Sequence, residues 1–191
     1  MDTMKKLISR LAGLFSEMSA NANTFGSMWK NIGLGKEAFA IMKELPETVP
    51  GEFDTPAEKS ALLGSMLEQM NETDTPRFCI GVREYMQALA PGDEDNAVQL
   101  TMLRDYIDLS LPMEDFCRRY RRHLKFDPVE RTEGMERVVA DVECECDRRL
   151  AGTPRGMGFC FAYWSARTAA LSRRGIDWRS PALMNPGVMF D

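Results

Sequence analysis

Apolar side chains recur along most of this chain at intervals of three and four residues, the spacing that lines one face of an α-helix. Met4, Ile8, Leu11, Phe15 and Met18 form a first stripe, widened by Leu7 and Leu14. Further helices are predicted over 35–45 (Phe39, Met42, Leu45), 56–71 (Leu62, Leu63, Met66, Leu67, Met70) and 76–90 (Cys79, Val82, Met86, Leu89). The pattern continues over 94–109 (Val98, Met102, Tyr106), 112–125 (Met113, Phe116, Cys117, Tyr120, Leu124) and 134–151 (Met135, Val139, Val142, Cys146, Leu150). The last helix, 154–174, is apolar on nearly every side, which predicts a central core helix. No stretch alternates apolar and polar long enough to predict a sheet.

Punctuation agrees with the periodicity. Thr55-Pro56-Ala57-Glu58 carries a capping hydroxyl, a proline at the first helical position and a glutamate three residues past the cap. Asp127-Pro128-Val129-Glu130 repeats that order, and Thr75-Pro76, Thr153-Pro154 and Ser180-Pro181 share the cap and the proline. Residues 20–35 and 46–55 are the least regular internal pieces and are expected to be linkers. The expectation is an all-α helical bundle of about seven or eight helices in a single domain, 1–191. The amphipathic helix 1–20 is expected to be semi-detached, and 175–191 to be an extended C-terminal segment laid on the body.

Composition narrows this only a little. With 191 residues, 44% hydrophobic and 28% charged, the chain reads as an ordinary globular domain, and no run approaches the ~20 apolar residues of a membrane span. Lys5 and Lys6 before Leu7 and Ile8 resemble the start of an export signal, but Ser9, Arg10 and Glu17 interrupt it. Five cysteines, an odd number and scattered, suggest free thiols in a reducing compartment, taken as the cytoplasm.

Charge is more informative as a distribution than as the net −5. Residues 118–125 carry five cations and no acid, 126–147 two cations and eight acids, and 148–179 seven cations and one acid. Helices of alternating sign laid side by side would neutralise one another. Of the 15 cations after residue 103, 14 are arginine, which favours bidentate pairing with carboxylates.

His123 is the only histidine, which excludes helical di-iron bundles, HExxH proteases and multi-histidine hydrolases. Cys144 and Cys146 point about 200° apart on a helix and cannot share an ion, and the acidic run Glu136, Asp141, Glu143, Glu145, Asp147 reads as a solvated face. No metal and no cofactor is expected. Gly156 and Gly158 read as small residues permitting close helix approach, or as an anion cup beside Arg155.

The sharpest local feature is Arg118-Arg119-Tyr120-Arg121-Arg122-His123-Leu124-Lys125. Arg118, Arg119, Arg121, Arg122 and Lys125 on two helical turns suit a nucleic-acid backbone. Arg118 and His123, separated by four residues, resemble the arginine–histidine motif of HEPN-type helical ribonucleases. The resemblance covers six residues and implies a catalytic pair, Arg118 and His123. It departs where those enzymes carry Asn, Asp or His after the arginine, since Arg119 stands there. Phe161, Tyr163 and Trp164 on the last helix are candidates for a ligand pocket, in which case the chain is a small-molecule sensor or an enzyme. Met4, Ile8, Leu11, Phe15 and Met18 follow the seam pattern of paired helices and are candidates for association.

With catalytic signatures missing, the leading expectation is an intracellular protein-binding module, an adaptor, regulator or chaperone-like protein whose partner is another protein or a second copy. Fourteen methionines, soft and adaptable in contact, fit that expectation.

Overall fold

The computed structural model describes residues 2–190 and is all-α, with 66% of the chain helical; among the described residues, extended backbone pairs only at one bridge, Val49 to Phe53. Met1, Asp191 and the side chain of Asp2 lie outside the described residues, so the ends of the expected 1–20 helix and 175–191 segment do too. The chain clusters into two compact units, one up to Arg104 and one from Asp105 on.

The first unit holds α1 (Asp2–Ala22), a 3-10 turn at Met28–Lys30, α2 (Asn31–Glu44), α3 (Pro56–Glu68), α4 (Pro76–Leu89) and most of α5 (Glu94–Ile107). Its core comes from Leu14 and Met18 on α1, Ala38 and Met42 on α2, Leu63 and Met66 on α3, and Cys79 and Val82 on α4. A β-carbon at Gly35 would stand 2.5 Å from the Met70 sulfur, so glycine lets α2 pass close to the end of α3.

Neither expected linker is loose. Asn31, inside the 20–35 stretch, is fully buried and donates to the carbonyls of Met18 (2.9 Å) and Gln69 (2.7 Å) at the ends of α1 and α3. In 46–55 the chain turns tightly around Gly51 (φ 81°) and buries Val49 and Phe53. Short polar stretches look irregular in sequence, but here their side chains satisfy helix ends that would otherwise be orphaned.

The second unit holds α6 (Met113–Arg119), a 3-10 turn at Pro128–Arg131, α7 (Glu133–Arg149), α8 (Phe159–Ser172) and the single turn α9 (Pro181–Met184). Met135, Val142 and Cys146 of α7 pack with Ala166, Ala170 and Leu171 of α8 and with Trp178.

Three of the expected boundaries shift, each for a local reason. The helix predicted over 112–125 ends at Arg119, because Arg121 takes a left-handed conformation (φ 50°) and the Arg122 amide donates back to the Cys117 carbonyl at 2.8 Å. That is a Schellman termination, here without the glycine that usually announces it. Asp127-Pro128 starts only a 3-10 turn: Asp127 caps the Val129 amide at 3.0 Å, but Glu130 turns away to Trp178 instead of closing a box. Thr132 then starts α7, its hydroxyl accepting from the Met135 amide at 3.2 Å. Thr153-Pro154 starts no helix; α8 begins after Gly158, whose φ of 80° would strain any residue with a β-carbon. A β-carbon at Gly156 or Gly158 would meet nothing within 4 Å, so close helix approach does not explain these glycines.

Candidate functional site

The basic block is two pieces rather than one helical face. Arg118 and Arg119 sit on the last turn of α6, while Arg121, Arg122, His123 and Lys125 follow the left-handed turn and are exposed. Most of the cations have partners in their own unit. Arg118 pairs with Asp115 (3.0 Å), Arg119 with Asp105 (2.5 Å) and Lys125 with Glu114 (3.0 Å), while the Arg122 guanidinium lies over the rings of Phe116 and Phe126. The Asp105 carboxyl, which also accepts from the Tyr120 hydroxyl at 2.6 Å, is held below its usual range by that bond and by Arg119. No hydrogen bond joins Arg118 to His123 among the described residues.

The acidic helix pairs onward, with α8 and its flanks. Glu145 of α7 binds both Arg173 and Arg174, and Asp147 binds Arg155 at 2.8 Å. Among the described residues no group of three or more His, Cys, Asp or Glu side chains is arranged to hold a metal ion.

The three aromatic candidates on α8 divide between two faces. Tyr163 points to α7, where its hydroxyl donates to Glu143 at 2.7 Å, and Arg167 binds both Glu143 and, at 2.7 Å, the Tyr163 oxygen. Glu143 and Arg167 are only 11% and 12% exposed. The Arg167 guanidinium stands 5.3 Å over the Trp178 ring, whose indole N–H donates to Glu130 at 2.6 Å. Burial pushes the Tyr163 phenol far up and the Cys146 thiol up to about 11, so neither is a nucleophile or base near neutrality. The cluster is a lock between helices.

On the other face, Phe161 and Trp164 meet edge-on at 5.4 Å, and Trp164 meets Phe190 edge-on at 5.1 Å. Phe161 is half-exposed. Thus α8 is not the central core helix its composition predicts. It buries a narrow stripe of Ala166, Ala170 and Leu171 and leaves aromatic surface in solvent.

Glu130 gives the cluster a pH signature. Burial raises its carboxyl above the ordinary glutamate range despite the Trp178 donor and the nearby Arg167 guanidinium. A carboxyl raised in the folded state stabilises the fold while protonated, and that contribution fades as pH rises through the folded value. Glu130→Gln keeps an acceptor for Trp178 and cannot ionise. Its melting temperature relative to wild type is therefore expected to climb as pH rises above the ordinary carboxylate range. A difference independent of pH, in melts followed by circular dichroism, contradicts this.

On α1 the buried line is Leu11, Leu14 and Met18, with Ile8 and Phe15 half-buried and Met4 exposed. Arg10 ties α1 to Glu37 of α2 through bonds of 2.6 and 2.8 Å. Among the described residues no helix is long and apolar enough to cross a membrane. No family model, no curated protein and no solved structure matches this chain.

Proposed function

We propose that this chain is a protein-binding module, of the adaptor or regulator kind, that takes its partner on the outer face of α8. One observation carries the reading. The exposed positions of α8 are Phe161, Ser165, Thr168 and Ser172, and its one charged residue, Arg167, is turned inward to Glu143. A solvated helix face normally carries charge, and the chain as a whole is 28% charged. Depletion of charge around an aromatic centre is the signature of an interface core. Met157, Leu183, Val188 and Met189, all exposed, extend the apolar supply in the same part of the chain.

The test compares proteins cross-linked to the full chain in its native cell with those cross-linked to Phe161→Asp. Val98→Asp, at an exposed apolar position of the first unit, is the control. Phe161→Asp is expected to lose the partner and Val98→Asp to keep it, with both melting temperatures within about 2 °C of wild type, as for surface substitutions. Recovery of the same proteins with Phe161→Asp removes the α8 face as the docking site.

A further inference from the structure

The segment that follows α9 is fastened at Asn185 and exposes apolar side chains at Val188 and Met189. Upstream, Trp178 is 5% exposed, and the Arg179 backbone and guanidinium donate to Asp127 at 2.7 and 3.1 Å. Asn185 exchanges two bonds with the Lys125 backbone, accepting from its amide at 2.9 Å and donating to its carbonyl at 2.8 Å. Beyond Asn185 the chain bends at Gly187 (φ 96°), leaving Val188 47% and Met189 96% exposed. Phe190 meets the Trp164 ring edge-on.

We propose that residues 187–190 are a cis occupant of the α8 face: Phe190 holds the Trp164 ring where a partner's aromatic anchor seats, so the segment competes with the partner and restrains binding. This rests on the reading of α8 as the docking face. Two features support it. A short tether from Asn185 keeps the Val-Met-Phe run at high effective concentration beside the face. Val188 and Met189 leave apolar surface in solvent, so a partner that buries more of the face displaces it.

The same geometry states the partner's chemistry. Arg148 and Arg149 end α7, and the short connection to α8 keeps that end near Phe159, over whose ring Arg155 lies at 5.5 Å. Both arginines are exposed and form no ion pair among the described residues. The fitting occupant is an apolar protein segment with an aromatic anchor and acidic flanks.

The experiment uses the full chain, with a synthetic peptide of the sequence of residues 185–191 as probe, added up to millimolar concentration. The readout is the indole resonances of the three tryptophans in proton–nitrogen spectra. Phe190→Ala is expected to move the Trp164 indole and leave that of Trp178 in place. If the seat is filled about nine-tenths of the time in wild type, the variant half-saturates at about a tenfold lower peptide concentration. Adding Phe161→Asp to Phe190→Ala abolishes the response. A Trp164 resonance indifferent to Phe190→Ala, or a peptide response equal in both proteins or absent from both, overturns the cis competition. Retention of the partner by Phe161→Asp, by contrast, overturns the docking face itself, so the two failures are distinct.

Discussion

Replacing Arg131 by methionine is expected to lower the melting temperature by roughly 10 °C, on a cost of about 4 kcal/mol and about 2–4 °C per kcal/mol for a chain of this size. Arg131 is 2% exposed, and its guanidinium donates to the carbonyls of Tyr106 (2.5 Å), Leu111 (2.9 Å), Asp105 (3.0 Å) and Asp108. These carbonyls cluster at the end of α5, where helical partners run out. Methionine fills similar volume but leaves acceptors unpaired in a place water reaches poorly, each costing about 1–3 kcal/mol when fully stranded. Arg131→Lys is expected to recover less than half of the loss, because a point ammonium cannot span the fork of a guanidinium. Thermal unfolding of the three proteins decides it. A loss of only about 2 °C in Arg131→Met would mean that solvent reaches those carbonyls.

Lys59→Met is expected to cost about 3 kcal/mol, read as a lower urea midpoint at unchanged slope. Lys59 is fully buried with no acidic partner among the described residues; its ammonium donates to the carbonyls of Leu45 (2.8 Å) and Pro46 (3.0 Å) beyond α2. The rings of Phe53 and Tyr85 flank it at 5.7 and 5.5 Å, supplying the negative faces a desolvated cation needs. Methionine preserves the stem and removes both donors. Lys59→Arg, longer and forked, is expected to fail as a rescue, which separates a fitted ammonium from a mere positive charge. An unchanged midpoint in Lys59→Met contradicts the assignment.

Both positions show what could be read from the chain and what could not. Helix identities followed from apolar spacing, since that spacing exists to bury a stripe, and α3, α4, α5 and α7 lie close to where it predicts. Lys59 was legible in principle: it lies on the stripe of Leu63, Met66 and Met70, at a position where a lysine should prompt a search for buried acceptors. Arg83 repeats the lesson on the stripe of Cys79, Val82 and Met86, and binds Glu72 at 2.5 Å from a nearly buried position. Arg131 sits in a single 3-10 turn, where no periodicity reports burial.

The candidate site was half legible. Phe161 and Trp164 stood out by composition, but composition alone predicts a core helix. Which face α8 turns outward depends on Glu143 drawing Tyr163 and Arg167 inward, a pairing 20 and 24 residues distant in sequence. The basic block misled for a related reason. Its cluster of charge was plain, yet the end of α6 depends on a left-handed arginine that no composition rule anticipates.

The α8 face also bears on how the protein behaves in concentrated solution. Residues 1–104 hold 10 basic and 15 acidic residues, and 105–191 hold 14 of each, so the first unit carries the entire net charge of −5. The half that displays the aromatic surface thus has no net charge of its own to keep copies apart. Colloidal repulsion comes from the acidic half alone, and its range shrinks from about 30 Å at 0.01 M salt to about 10 Å at 0.1 M. Added salt therefore removes the repulsion while leaving the sticky surface untouched, and low ionic strength favours a dispersed protein.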